Sequence, residues 1–451
     1  MGVEKIVARL RSATRVLRAD LRGASTYEIT ETNIRLAIYH GIVGIMSVNV
    51  AAPFIGILAV KLGASDFQVG LLSSGPAVVA LLSMIPGAKL LDRMPRKKWA
   101  IRNLILANRF FYLFIATIPF FSRDLRAWLL VGAVSLMNLP GSISNIGWQA
   151  FIAEVVPPEK RAHAFAMRNR AMNLVGTIVV LVTGRFIDMT GFPLGYQIAF
   201  TLAFLLALAE AWVFGRMIEP GEPGFDESPV SPGEAGPGGT EVERGLFGSI
   251  VSDIRMIVTK RRFVGYLLAS ILFYLAWQIP WPLFTLYQVK VLGANNLWVS
   301  ILNLVNTSGS LMGYGFWVKM IRKKGNLMTL FLSSIWIFTV PLVYAFSRSL
   351  VTVAAFNLLS GIIFSGVNLC LFNVLLEVTP EEHRTVYIAY YTTAINASAM
   401  VAPMIGVLFL DLWGYFWAFV VCAGIRIIGS LTFFILNYLD SRRIPGFSSV
   451  G

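Results

Sequence analysis

Residues 142–161 read SISNIGWQAFIAEVVPPEKR, and 223 positions further on residues 365–384 read SGVNLCLFNVLLEVTPEEHR. Without a gap, Ser142 falls on Ser365, Asn145 on Asn368, Glu154 on Glu377, Pro157 on Pro380, Glu159 on Glu382 and Arg161 on Arg384. The match continues through Asn173 on Asn396, Asp188 on Asp411 and Gly191 on Gly414, with 13 identities in the 50 positions from 142 to 191. Chance in apolar sequence gives roughly three to five. Several identities are polar, so hydrophobic composition alone does not produce them. With a small shift, Gly63-Ala64 aligns with Gly293-Ala294, and RMPRKK at 93–98 with KMIRKK at 319–324. The chain is built from two copies of one plan.

What is duplicated is a set of hydrophobic blocks. Of 451 residues 56% are hydrophobic and 14% charged, against roughly 45–50% and about 25% in soluble domains. Twelve blocks are long enough to cross a bilayer core, which takes around 20 helical residues each: 34–60, 67–90, 102–121, 126–152, 168–189, 194–217, 263–289, 297–318, 326–346, 350–376, 386–410 and 415–438. They lack the period-two alternation of outer-membrane strands, so they read as helices. The expected fold is all-α and integral to the membrane, with twelve transmembrane helices in two pseudo-symmetric six-helix bundles.

The net charge of +14 is distributed by loop. With both termini cytoplasmic, only Lys61, Arg123, Arg126, Arg185, Lys290 and Arg348 lie outside, while clusters such as Arg96-Lys97-Lys98 and Arg322-Lys323-Lys324 lie inside. This positive-inside pattern, and not nucleic acid, accounts for the basic balance. A multi-pass protein of the cell membrane with both termini inside is expected. Cys370 and Cys422 fall within spans and offer neither a disulfide framework nor a metal cluster.

Residues 219–245, EPGEPGFDESPVSPGEAGPGGTEVERG, are too poor in apolar residues to fold. They separate six spans from six. The expected organisation is an N-terminal segment 1–33, a first bundle 34–217, a linker 218–262 with a short amphipathic helix, a second bundle 263–438 and a tail 439–451. In the N-terminal segment Val3, Val7, Leu10, Leu17 and Leu21 share one helical face amid arginines. Such a helix lies on anionic lipid, and a solvated basic tail is the alternative.

The stretch AKLLDRMPRKK at 88–98 resembles the G-x-L-a-D-R-x-G-R-K signature between spans 2 and 3 of the major facilitator superfamily, with Ala88 and Pro95 in place of two glycines. Together with twelve spans, a central linker and the repeat, the resemblance covers nearly the whole chain. It implies two bundles rocking about a substrate site near the midplane. It also implies that Asp92, Arg93 and Arg96 form a conformational latch, the alternative being simple topogenic charge. Glu154 with Arg161, and Glu377 with Arg384, stand at equivalent span ends and read as gate-side ion pairs or as solvated loop charges.

Polar side chains inside a membrane face the bundle interior or a wet path. In span 4, Asn138, Ser142, Asn145 and Gln149 follow at steps of four, three and four, which stacks them in one stripe. The resemblance places spans 1, 4, 7 and 10 around the cavity. Span 1 offers Ser47 and Asn49 besides His40, and span 10 offers Ser365 and Asn368. Span 7 carries Ser270, Tyr274, Trp277 and Trp281 at the same steps, with Gln278 beside them. This aromatic wall suits sugar rings, apolar solutes or cations alike. The competing reading for each polar residue is helix-to-helix glue.

Buried charge is sparse. Glu210 stands in span 6 roughly 10 Å deep, with Arg109 of span 3 at comparable depth, so an ion pair between them is expected. Arg426 in span 12 has no evident partner, and a lone histidine such as His40 reads as structural. Span 4 lacks the arginine of the signature of the family's proton-coupled members, and span 5 the G-P-x-x-G-G pattern of drug/proton antiporters. Nothing resembles a nucleotide-binding loop, a nucleophile elbow or a metal-ligand cluster.

The expectation is therefore a carrier, not an enzyme, that moves a small, neutral or amphipathic organic solute by alternating access, as a monomer and without cofactor, metal or nucleic acid. A proton-coupled multidrug antiporter and a transport-inactive sensor or scaffold are the rivals.

Overall fold

The computed structural model describes residues 26–92, 94, 96–219, 246–380 and 384–443. Among these residues all regular structure is helical. Ten helical runs are apolar and long enough to cross a bilayer, and one of them, Val386–Asp440, is 55 residues long. That run is two helices joined at Gly414, whose φ of 68° breaks the helical path. A further helix, Asn296–Lys324, has the length and a more polar sequence. Together they make twelve spans, and the chain has the twelve-helix fold.

We number the spans α1 to α12. In the first half α1 is Thr26–Ala51 continued by Ile55–Lys61, α2 Asp66–Asp92, α3 Lys97–Thr117, α4 Arg123–Leu136 continued by Asn138–Val155, α5 Pro158–Thr190 and α6 Leu194–Gly215. After a short helix, Leu246–Thr259, α7 is Arg261–Gln278 continued by Trp281–Leu286. Then come α8 Asn296–Lys324, α9 Asn326–Ser334 continued by Thr339–Phe346, α10 Leu350–Val378, and α11 and α12 on either side of Gly414. Two helices start earlier than hydropathy suggests, α1 at Thr26 and α5 at Pro158. Their polar first turns belong to the helix without belonging to the apolar block. The N-terminal segment to residue 25 and the linker residues 220–245 lie outside the described residues.

The repeat has a backbone cause at its glycines. Gly63 and Gly293 have φ of 87° and 67°, and Gly191 and Gly414 have 82° and 68°. Each ends a helix in a conformation that a side chain disfavours. These four are the glycines that the two sequence alignments superpose.

The chain divides into two compact units, Met1–Gly63 with Val79–Gly233, and Ala64–Val78 with Glu234–Gly451. In the first, α1 packs on α5 and α6, and α3 on α4 and α6. Asn33 clamps the start of α1 to the end of α6, its amide donating to Ile218 O at 3.0 Å and its oxygen accepting from Ile218 N at 2.9 Å. Below the clamp Phe151, Phe214, Ile101 and Val155 form the core. Elsewhere large apolar side chains face outward, Phe120 80% exposed and Leu82 70%, as lipid-facing residues must.

The second unit is held by close backbone approach. A β-carbon at Gly309 would collide with Leu358 O, and one at Gly361 with Asn306 O, so α8 and α10 touch along glycine. The unit also explains Arg426, which is 2% exposed. Its guanidinium donates to Ile337 O at 3.1 Å and to Trp277 O at 2.6 Å. Ile337 lies four residues before Pro341, which has no N–H to give, and Trp277 lies where Pro280 and Pro282 interrupt α7. Arg426 therefore bonds backbone carbonyls at two helix interruptions. The partner is backbone, which charge pairing in sequence does not reveal.

Candidate functional site

Within the first unit, α1, α3, α4, α5 and α6 line an open cavity of about 470 Å³. Its charged lining is Glu210, Arg109, Arg168 and, when protonated, His40. Glu210 is 4% exposed and His40 5%. Arg109 Nε stands 3.4 Å from Glu210 Oε2, and His40 Nε2 3.6 Å from Glu210 Oε1. Arg109 also donates to Asn108 Oδ1 at 2.9 Å. Both carboxylate oxygens thus already face a nitrogen.

Small residues make this fit. A β-carbon at Gly44 would stand 2.6 Å from Glu210 Oε1, and one at Gly41 2.6 Å from Arg168 Nε. The two glycines, three apart on one face of α1, let the carboxylate and the guanidinium reach in from α6 and α5. Arg168 Cζ lies over the Trp148 ring, 4.1 Å from its centroid, and His40 stacks near the same ring at 6.3 Å. Four buried nitrogens here have no hydrogen-bond partner: both of His40, Nε1 of Trp148 and Nε of Arg168.

The span 4 stripe divides. Asn138 and Asn145 line the cavity, joined by Ser144 and Trp148 on the adjoining face. Ser142 instead faces α2, its hydroxyl 2.7 Å from that of Ser83, and Gln149 is exposed. In span 1, Ser47 is fully buried and donates to Ala203 O at 2.8 Å, tying α1 to α6. Asn49 packs on α5 beside Gly176. Ser365 is likewise buried, donating to Ile362 O at 2.7 Å and abutting Gly313 of α8. The identity of Ser142 and Ser365 in the repeat reflects packing, since a small hydroxyl that bonds its own helix lets a neighbouring helix approach. Asn368 is exposed.

In the second unit Tyr274, Trp277 and Trp281 do form a run, with Tyr274–Trp277 centroids 5.6 Å apart and Trp277–Trp281 6.3 Å. Trp277 also meets Phe273 and Phe364, while Gln278 is buried. The wall is thus partly core.

Of the latch residues, Arg96 is exposed, and Arg93 with the side chains of Asp92 and Arg384 lies outside the described residues. Glu154 accepts from Lys97 Nζ at 2.6 Å, and Arg161 donates to Val156 O at 2.8 Å. Glu377 accepts from Asn326. Lys97 and Asn326, at the starts of α3 and α9, are the partners that sequence reading passed over.

It also passed over Arg168, Trp148 and Asn108. Arg168 stood at the edge of its hydropathy block, but α5 begins ten residues earlier, which carries Arg168 well into the bundle. The repeat holds a signal in its differences. The 223-residue offset puts Tyr391 opposite Arg168, and the Gly63–Gly293 offset puts Ser270 opposite His40. Tyr391 stacks on Tyr266 with centroids 5.6 Å apart. One fold position holds charge in the first unit and neutral hydroxyls in the second.

A duplicated all-helical membrane fold with a polar cavity walled by five helices defines a polytopic transporter. A profile of the Major Facilitator Superfamily matches residues 41–345 and 266–449. The chain belongs to that superfamily, which consists of transporters and not enzymes. Among solved structures, a bacterial homologue of the human lysosomal transporter Spinster, inward-facing and unoccupied, is similar at 14% identity and TM-score 0.63, over 93% of this chain and 99% of that one. The nucleoside transporter NupG is similar at 10% identity and TM-score 0.65, over 90% and 99%. The peptide transporter POT in complex with sulfate is similar at 16% identity and TM-score 0.62, over 92% and 96%. At these identities the likeness shows the fold. No curated protein matches the sequence.

Proposed function

We propose that the chain is a carrier that moves a small organic solute across the cell membrane by alternating access, as a monomer with both termini in the cytoplasm and the N-terminal segment on anionic lipid. The observation that carries this reading is the cavity of about 470 Å³, within the roughly 300–1,000 Å³ of small-molecule sites. A cavity lined by a buried carboxylate, two guanidinium groups and three asparagines is costly to maintain in a membrane unless it is used. The similar transporters of known structure are named for nucleosides and peptides, which are small organic solutes.

Solute counterflow in vesicles containing the purified chain is the test. Exchange is expected with the parent and reduced on Asn145→Ala, whose side chain lines the cavity. A parent chain that exchanges no solute while a protein partner binds its linker or tail would mark a sensor or scaffold instead.

Proton coupling is the second reading, favoured by one observation: Glu210 sits between Arg109 and His40 with little solvent access. A carboxylate so placed could exchange a proton as the solute comes and goes. On this reading a pH gradient drives flux in the parent and ceases to do so in Glu210→Gln.

A further inference from the structure

We infer that the cavity of the first unit receives the oxyanion of a small organic acid, held by Arg168 with His40 and Trp148 beside it. The inference rests on the carrier reading and names the substrate class. Two guanidinium groups, those of Arg109 and Arg168, share the cavity with one carboxylate, that of Glu210. Arg109 is occupied by Glu210 at 3.4 Å and Asn108 at 2.9 Å. Arg168 makes no such bond: it is stacked on Trp148 and its buried Nε lacks an acceptor. Arg168 is partly exposed, so its terminal nitrogens stay open to a ligand while the buried Nε goes unbonded at a cost, and a planar guanidinium is shaped for two oxygens of a carboxylate or phosphate.

The neighbouring unpaired groups agree in chemistry. Trp148 Nε1–H can only donate, and His40 donates from one nitrogen when neutral and from both when charged. His40 is 5% exposed, lines the cavity and has neither nitrogen bonded. A cationic ligand would have to compete with Arg109 for the one carboxylate of the cavity, that of Glu210. The repeat sharpens the point, because the second unit replaces Arg168 by Tyr391 and His40 by Ser270 and so carries no charge at the matching positions. The side of the cavity formed by Ile45, Val48 and Met172 offers an apolar surface to the body of the acid. A neutral solute, the expectation from sequence, would leave the charge of Arg168 unmatched by the ligand.

The competing account is water filling the cavity and bonding these groups. The two are separated by thermal unfolding of the purified full-length chain in detergent with three phenyl probes: benzoate, its neutral isostere benzamide, and phenyl phosphate. The expected result is stabilisation by benzoate, by phenyl phosphate or by both at concentrations about tenfold below any effect of benzamide, as loss of one charge-assisted contact of about 1.4 kcal/mol implies. Which anion acts distinguishes a carboxylate from a phosphate head. Arg168→Gln is expected to abolish the preference.

Glu210→Gln is expected to tighten anion binding about tenfold, because it removes the opposing charge. A misfolded variant cannot give that gain. Equal response to benzamide and the anions, no response to either anion up to about 50 mM, or an anion preference that survives Arg168→Gln overturns the inference. Counterflow of a neutral solute with the anions inert would sink the anion assignment and leave the carrier. Anion binding without exchange of any solute would do the reverse.

Discussion

The pair Arg109–Glu210 lends itself to a double-mutant cycle, with Arg109→Gln, Glu210→Gln and the double variant compared by unfolding in mixed detergent micelles. At 3.4 Å and an effective dielectric constant of about 20, two unit charges attract by about 5 kcal/mol. Desolvation offsets much of this, since Glu210 is 4% exposed. The net pair is therefore weak while the broken pair is expensive. Glu210→Gln leaves Arg109 with Asn108 and partial access to the cavity, and is expected to cost about 2–3 kcal/mol. Arg109→Gln leaves a nearly enclosed carboxylate, and is expected to cost about 3–5 kcal/mol. The double variant, having no charge to strand, should cost less than the sum by about 1–3 kcal/mol. Tryptophan fluorescence gives the unfolding curves. Strict additivity, or single variants within about 0.5 kcal/mol of the parent, would refute the claim that these groups form one buried electrostatic unit.

Gly309→Ala and Gly361→Ala force a methyl into backbone carbonyls between α8 and α10; both are expected to cost more than about 3 kcal/mol or to abolish folded yield, judged by size-exclusion profile, while Gly315→Ala, which meets open space, leaves the profile unchanged. Arg426→Met strips two bonds from the carbonyls of Ile337 and Trp277; with charge-assisted bonds worth about 1.5–3 kcal/mol each and relief of a buried charge in opposition, a net loss of about 2 kcal/mol is expected in the same unfolding assay. Ser47→Ala removes one interhelical bond and should cost only about 0.6 kcal/mol while leaving solute affinity untouched; a change in affinity would restore Ser47 to the cavity wall. Lys97→Gln breaks a partly exposed pair with Glu154 and is expected to alter stability by less than about 1 kcal/mol.

Asn138, Asn145, Arg109 and Glu210, which line the cavity, stood out in the sequence because membranes tolerate few polar side chains, and each that is present must be bonded or wet. The same rule could not separate bonded from wet. Ser47, Ser142 and Ser365 have the composition of cavity residues, yet each hydroxyl bonds a neighbouring group. A serine satisfied by a carbonyl and one satisfied by water look alike in one dimension. Arg168 failed in the opposite sense, since hydropathy placed it at a block edge while the helix begins at Pro158.

From sequence alone follow the twelve spans, the duplication, the turn glycines and the rarity of buried charge. All are properties of a segment or of its repeat, set by the energy of apolar chain in lipid and by backbone sterics. Only the tertiary structure brings Glu210 between Arg109 and His40, seats Arg168 on Trp148 and hands Arg426 its two carbonyls. These depend on how helices rotate and slide against one another. Close packing at small residues such as Gly41 and Gly44 decides that, through contacts between positions far apart in the chain.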